Sequence, residues 1–417
     1  MNRLRKLVNA FSPYANEYEN TLQNFLKSLT EKSNKTQTIE RLLVLAQQNL
    51  ASLNLWSEFR YKGYVYLNKN TRKTLYKNLE LIENDFNNYY KKYLQTEEKT
   101  SSENNTLKNS EKIRLLTCIM DYFSITRGLY IYEESSSFGK LLQDPNLNNL
   151  IGDCNQIVTL YIYLYSRYFS IKDLKLRTLP GHVALHFEGR DIEATKGEFA
   201  DYSKTDGNKI LPIHEIVSIN LLDVSDSFLK TKPLNPNYLL QASRLAFLLS
   251  SNQEVVTHNL NASYGTVINS LIKLHNFEKA LIFAKQSNNN SYFELIGNNG
   301  AVYNIKKHNF IKARKLAKYA KNNQDLIKYS YQEEGKFYYN KGNFDASIKA
   351  FSTIGDEEAI KTNYKAMFVK EQNKLPKNLN SETIKNYKKI INNMNFYAKK
   401  SNDKALINNV RQYSKFL

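Results

Sequence analysis

A cysteine, a histidine and a carboxylate in that chain order are the parts of a nucleophilic thiol site. Here Cys154 stands in Gly152-Asp153-Cys154-Asn155-Gln156, His182 follows Pro180-Gly181, and Glu193 lies in Ile192-Glu193-Ala194-Thr195. A thiol attacks a carbonyl only as a thiolate, and a helix N-terminus and an adjacent imidazolium both favour that form. Gly152-Asp153 reads as a helix start with Asp153 as N-cap, which supplies the first condition. His182 is the candidate for the second.

If residues 182–188 and 190–195 form a hairpin with Glu188-Gly189 at its turn, His182 and Glu193 share one face as diagonal neighbours. A carboxylate–imidazole bond there would fix the tautomer and stabilise the charged ring. The same hairpin sets His186 directly opposite Asp191, so spacing leaves two candidate pairs, His182–Glu193 and His186–Asp191. Cys118 falls inside an apolar helix with no helix start nearby and reads as packing. No Cys-x-x-Cys or His-x3–5-His set accompanies these residues, so neither zinc nor any cofactor is expected.

Several elements must position these groups. From Cys154 the chain continues Ile157, Val158, Leu160, Tyr161, Ile162, Leu164, Tyr165, apolar nearly all round, as in a helix buried against a sheet. Alternation over residues 174–179 and 183–188 predicts strands, and Gly189 folds the second back into residues 190–194. Upstream, residues 111–124 predict an apolar helix. Residues 1–96 form a helical N-terminal region, clearest over Thr38–Leu55, with Tyr61–Leu67 a short strand or irregular turn. Residues 97–110 are polar and charged and read as a linker.

The 417 residues carry a formal charge of +19, and mean hydropathy of −0.56 marks a soluble chain. No stretch reaches the length and apolarity of a membrane span. The start, Met1-Asn2-Arg3-Leu4-Arg5, lacks the apolar core and cleavage site of a secretory signal. Two cysteines make no disulfide framework, which suits a reducing cytoplasm. From residue 235 onward 28 Lys and Arg face 13 Asp and Glu, giving +15 of the total. The densest run spans Lys306–Lys321 and includes Lys312, Lys315 and Lys318. Such a face suits an acidic protein, anionic lipid or nucleic acid, but Asn, Lys, Tyr and Ile are abundant throughout, and that bias alone raises lysine.

After residue 235 the chain repeats. Leu274-His275-Asn276-Phe277-Glu278-Lys279-Ala280 is echoed by Lys307-His308-Asn309-Phe310-Ile311-Lys312-Ala313 and by Lys341-Gly342-Asn343-Phe344-Asp345-Ala346-Ser347. The Asn-Phe pairs lie 33 and then 34 residues apart, the tetratricopeptide period. The pattern predicts antiparallel helix pairs, with Phe277, Phe310 and Phe344 buried at equivalent positions. Ala280, Ala313 and Ser347 would take the close contacts. Nine residues before each aromatic, Ala301 and Gly335 fit the small residue expected, and Ile268 does not.

Residues 112–205 resemble the transglutaminase-like superfamily of papain-type thiol enzymes, in particular a bacterial branch with tetratricopeptide repeats behind the domain. The matching pieces are Gly152-Asp153-Cys154, Leu179-Pro180-Gly181-His182 and Ile192-Glu193-Ala194-Thr195, with Asp144-Pro145-Asn146-Leu147 upstream. The resemblance implies Cys154 as nucleophile, His182 as general base and acid, and Glu193 as orienting acid. It thereby ranks His182 above His186. Ala194 stands where the family often has proline, and Glu193 where Asp is commoner. The implied chemistry is acyl transfer from a carboxamide or peptide bond.

The sequence therefore predicts an α+β chain: a helical region over 1–96, a linker over 97–110, a transglutaminase-like thiol domain over 111–234 and an all-α repeat array over 235–417. The expected function is a cytoplasmic peptidase, amidase or transamidase whose repeats recruit a protein partner or substrate. The alternative is an inactive scaffold of the same fold acting through protein–protein contacts. Nucleic-acid binding through Lys306–Lys321 ranks third, since no recognisable motif for it is present.

Overall fold

The computed structural model describes residues 12–101, 111–134, 136–223, 235–377 and 383–415. It is a mostly helical α+β chain with a small antiparallel sheet. Contacts divide it into two compact units, Met1–Ser263 and Tyr264–Leu417. Among the described residues no helix is long and apolar enough to cross a membrane.

The first unit opens with helices α1 (Glu17–Ser28), α2 (Lys35–Arg60), α3 (Lys69–Ser101) and α4 (Glu111–Tyr122). Asn16 and Asn34 cap the first two through their side chains. Tyr61–Leu67 is irregular, with no strand. Helix α3 runs past residue 96 to Ser101, so the segment read as a linker begins as helix; residues 102–110 lie outside the described residues. Its Lys- and Glu-rich end propagates a helix already nucleated and needs no burial to do so. The core here gathers Leu22, Phe25, Leu42, Trp56 and Phe86. Within it Glu19 and Arg72 form a fully buried ion pair at 2.6 Å, their side chains 0% exposed. Tyr76 and the Ala15 N–H also donate to Glu19, and the guanidinium lies over the Phe59 ring.

The sheet follows. Strands β1 (Tyr130–Tyr132) and β2 (Leu150–Gly152) pair in parallel, separated in sequence by the single-turn helix α5 (Phe138–Leu141). Helix α6 (Cys154–Tyr165) comes next, buried on all sides from Asn155 to Tyr165. Then come β3 (Lys175–Leu179), β4 (His182–Phe187), β5 (Arg190–Glu193), β6 (Glu198–Ala200) and β7 (Lys209–Pro212), in spatial order β6-β5-β4-β3-β7 and antiparallel throughout. Helix α6 packs on β4, the central strand. The β4–β5 loop is Glu188-Gly189, with φ of 46° and 79°. Two left-handed residues in a two-residue loop make a type I′ turn, whose twist matches the strands it joins. His186 therefore pairs with Asp191 and Leu185 with Ile192. Helices α7 (Glu215–Leu222) and α8 (Pro236–Leu249) pack together at the end of this unit, and α9 (Gln253–Lys273) follows.

In the second unit helices alternate: α10 (Phe277–Ser287), α11 (Asn290–Lys306), α12 (Phe310–Ala317), α13 (Asn323–Asn340), α14 (Phe344–Thr353), α15 (Glu357–Gln372), α16 (Lys388–Ser401) and α17 (Lys404–Ser414). Phe277, Phe310 and Phe344 each occupy the first position of a helix, after Asn276, Asn309 and Asn343 at the caps. The residue before each cap is left-handed: His275 at φ 57°, His308 at 58° and Gly342 at 70°. Ala280, Ala313 and Ser347 are fully buried, and the Ser347 hydroxyl donates to the Gly335 carbonyl at 2.8 Å. A Cβ on Gly335 would meet the Phe351 ring at 2.5 Å, so this crossing requires glycine. Phe277 and Phe310 are buried. Phe344, expected to match them, is only half-buried. Its neighbours differ: Phe277 packs with His275 and Tyr303, and Phe310 with His308 and Phe337, whereas Phe344 meets Tyr339 and Lys370.

Candidate active site

Local sequence builds the start of α6 tightly. Asp153 is the N-cap and Gln156 the third helical residue, and they form a reciprocal capping box. Gln156 also donates through its amide to the Ser136 carbonyl, and Asn155 to Asn220 at 3.0 Å. Cys154 is thereby fixed as the first residue of the helix, half-buried. Amides in a first helical turn have no intrahelical acceptor, so this end can offer N–H donors to a developing oxyanion. Cys118, by contrast, is fully buried in α4.

His182 opens β4 just after Gly181, whose φ of 73° turns the chain out of β3. Its Nε2 donates to Glu193 Oε2 at 2.7 Å, with the imidazole 27% exposed and the carboxylate 4%. The same ring hydrogen-bonds Cys154. Since Nε2 is taken by the acid, Nδ1 is the nitrogen left for the thiol. The hydrogen bond to Cys154 and then the one to Glu193 outweigh burial and raise the His182 pKa from 6.5 to about 10. Burial alone would push Glu193 upward, but donors from His182, Thr195 and Tyr202 bring it down to about 2. Thr195 gives Oε1 two bonds, from its N–H at 3.0 Å and its hydroxyl at 2.5 Å. The Tyr202 hydroxyl gives Oε2 one at 2.5 Å.

The second pair also forms, with His186 Nδ1 2.7 Å from Asp191 Oδ1. Asp191 is committed elsewhere as well: it accepts from Arg177 Nε at 2.9 Å and from the Tyr202 N–H at 2.9 Å. Both the His186 and Asp191 side chains are nearly closed to solvent, at 11% and 3%. The thiol sits beside His182, so hydrogen bonding in the fold separates two pairs that spacing had left equal. Tyr132, half exposed on β1, lies near enough to Cys154 and Glu193 that burial and their charges raise its pKa. Tyr130 behind it is buried and donates to the Gly152 carbonyl at 2.8 Å.

Sequence reasoning missed Tyr202 and Arg177. Tyr202 lies in the irregular stretch after β6, where no periodicity marks it, and Arg177 reads only as an alternating strand residue. Gln156 was findable, since Asp-x-x-Gln before an apolar run is a capping-box spacing. Among the described residues no group of three or more His, Cys, Asp or Glu is placed to hold a metal ion.

In the repeat unit Lys312, Lys315 and Lys318 are exposed on one side of α12 and its C-cap. Arg314, from the same run, turns away to pair with Glu334 at 2.7 Å and to lie over Tyr331. A groove of about 520 Å³, with Ile272, His275, Phe277, Val302 and Tyr303 among its walls, opens between α9, α10 and α11.

Comparison of the chain with known protein families, curated proteins and solved structures finds no match.

Proposed function

We propose that this protein is a thiol acyl-transfer enzyme with a transglutaminase-like domain, acting on a carboxamide or peptide bond. One observation carries the reading: a single imidazole is held between the Cys154 thiol on one side and the Glu193 carboxylate on the other. His182, kept protonated at neutral pH by its raised pKa, already holds the proton taken from Cys154, and the sulfur attacks the carbonyl carbon as a thiolate. The tetrahedral oxyanion is met by amides at the start of α6. The C–N bond breaks, His182 protonates the leaving amine, and an acyl-thioester remains on Cys154. Water or a second amine then attacks the thioester, His182 takes its proton, and the thiol is restored. Glu193 stays ionised and holds the ring in one tautomer and orientation.

The helical repeats, with their aromatic groove and basic α12 face, suit recruitment of a protein partner or substrate. The test is alkylation by iodoacetamide at neutral pH. Cys154 labels much faster than Cys118, and His182→Ala slows Cys154 alone. Equal, slow labelling of both thiols overturns the reading. In that event the domain serves as an inert scaffold for the repeats.

A further inference from the structure

We infer that Tyr202 is a positioning residue for Glu193, and that the His186–Asp191–Arg177 cluster serves to hold Tyr202 in place. This rests on the thiol reading and extends it to residues outside the Cys-His-acid set. Tyr202 sits at the start of the irregular segment 201–208 between β6 and β7. A side chain on such a segment aims reliably only if its backbone is tied down. Two ties do this. The Tyr202 N–H donates to Asp191 Oδ2 at 2.9 Å, and the Asp191 carboxylate is itself fixed by Arg177 and His186. Arg177 Nη1 then reaches across to Asn208 Oδ1 at 2.6 Å, and Asn208 donates back to the Thr205 carbonyl at 2.7 Å. Both ends of the segment are thus bound to one guanidinium–carboxylate pair whose side chains are 8% and 3% exposed.

From that anchored backbone the Tyr202 hydroxyl reaches Glu193 Oε2 at 2.5 Å, and its ring meets His182 edge-on at 6.3 Å. Each oxygen of Glu193 then has two donors: Thr195 twice on Oε1, His182 and Tyr202 on Oε2. A carboxylate held at four points cannot swing away from the imidazole. The histidine–acid pair that spacing could not separate from the candidate catalytic pair is in this view its support. A cluster that merely stabilised the sheet would leave the reactivity of Cys154 unchanged when altered.

The test uses the full-length chain, with three readouts: iodoacetamide labelling of Cys154, thermal unfolding, and the downfield imidazole N–H proton resonances of His182 and His186. Tyr202→Phe keeps the ring and removes one hydrogen bond to a charged acceptor. It should slow labelling by roughly tenfold with the fold kept and the unfolding temperature lowered by only a few degrees, and broaden the His182 resonance but not that of His186. Asp191→Asn should slow labelling similarly and add little in the Tyr202→Phe background, because both act through one path. Should Asp191→Asn not fold, Asn208→Ala takes its place in the cycle. A wild-type rate and an unaltered His182 resonance in Tyr202→Phe, or losses that simply add in the double variant, overturn the inference. If His182→Ala labels at the wild-type rate, the acyl-transfer reading fails, while the resonance still decides whether Tyr202 fixes the His182–Glu193 bond.

Discussion

Asp153 and Gln156 cap one another across the first turn of α6. The Gln156 N–H reaches Asp153 Oδ1 at 3.4 Å, and the Asp153 N–H reaches Gln156 Oε1 at 3.3 Å. Cys154 lies between them, so the placement of its sulfur depends on two hydrogen bonds in which it takes no part. Asp153→Ala should cost about 1 kcal/mol of stability, the usual scale for losing a cap. Urea unfolding checks this, and Cys154 labelling should slow in the same variant. Unchanged stability and labelling would show that the Gln156 and Asn155 anchors alone hold the turn.

The His182–Glu193 pair gives stability a definite pH window. The His182 pKa is raised from 6.5 to about 10, so its contribution is full below about pH 6.5 and is lost as pH climbs through 10. Glu193 is lowered from 4.5 to about 2, so its contribution is present above about pH 4.5 and is lost as pH falls through 2. Stability from the pair should therefore plateau between about pH 4.5 and 6.5. Thermal unfolding across pH should show that plateau, and His182→Ala should flatten its alkaline side. A wild-type profile in His182→Ala would mean that the ring's raised pKa has no weight in folding.

The buried Glu19–Arg72 pair makes a different prediction. Glu19→Ala would strand a guanidinium with no exposure to water, at a cost of about 3–5 kcal/mol. Pairing Glu19→Leu with Arg72→Met should recover most of that loss, because the apolar surroundings of Trp56 and Phe59 accept both chains. Denaturant unfolding of the single and double variants measures it. A double variant as unstable as the single would show that the other donors to Glu19, the Tyr76 hydroxyl and the Ala15 N–H, stranded without the carboxylate, carry the loss.

In the repeat unit Ala313 is fully buried. Ala313→Leu should overpack the α12 crossing and cost roughly 1–3 kcal/mol. Hydrogen exchange would place the loss in α11 to α14, with amides of α6 and β4 unaffected, since repeats contact mainly their neighbours. Protection lost equally in α6 would contradict that independence.

Much of the candidate site could be read from the sequence because strand register is a local property. A two-residue Glu188-Gly189 turn leaves one alternation of faces, and His186 duly meets Asp191. Spacing alone could not choose between the two histidine–acid pairs; only the family resemblance ranked His182 first. Both form, and what separates them is where the N-terminus of α6 docks, a contact between residues 28 positions apart. The repeats were visible because Asn-Phe recurs at helix starts. The half-burial of Phe344 was not, since it follows from what lies opposite: Gly342 stands where His275 and His308 supply a ring. The length of α3 escaped because its last residues, Thr96-Glu97-Glu98-Lys99-Thr100-Ser101, carry no apolar periodicity in the sequence.

The left-handed step before each Asn cap has a consequence for how such a chain can lengthen. His275, His308 and Gly342 bend the backbone by the same local dihedral, so each turn is specified within its own 33- or 34-residue module and borrows nothing from distant sequence. A module copied in frame carries its own corner with it. Tandem duplication of residues 310–343 would therefore add one more helix pair to the stack, and the array can change its reach in whole units without any other residue being altered.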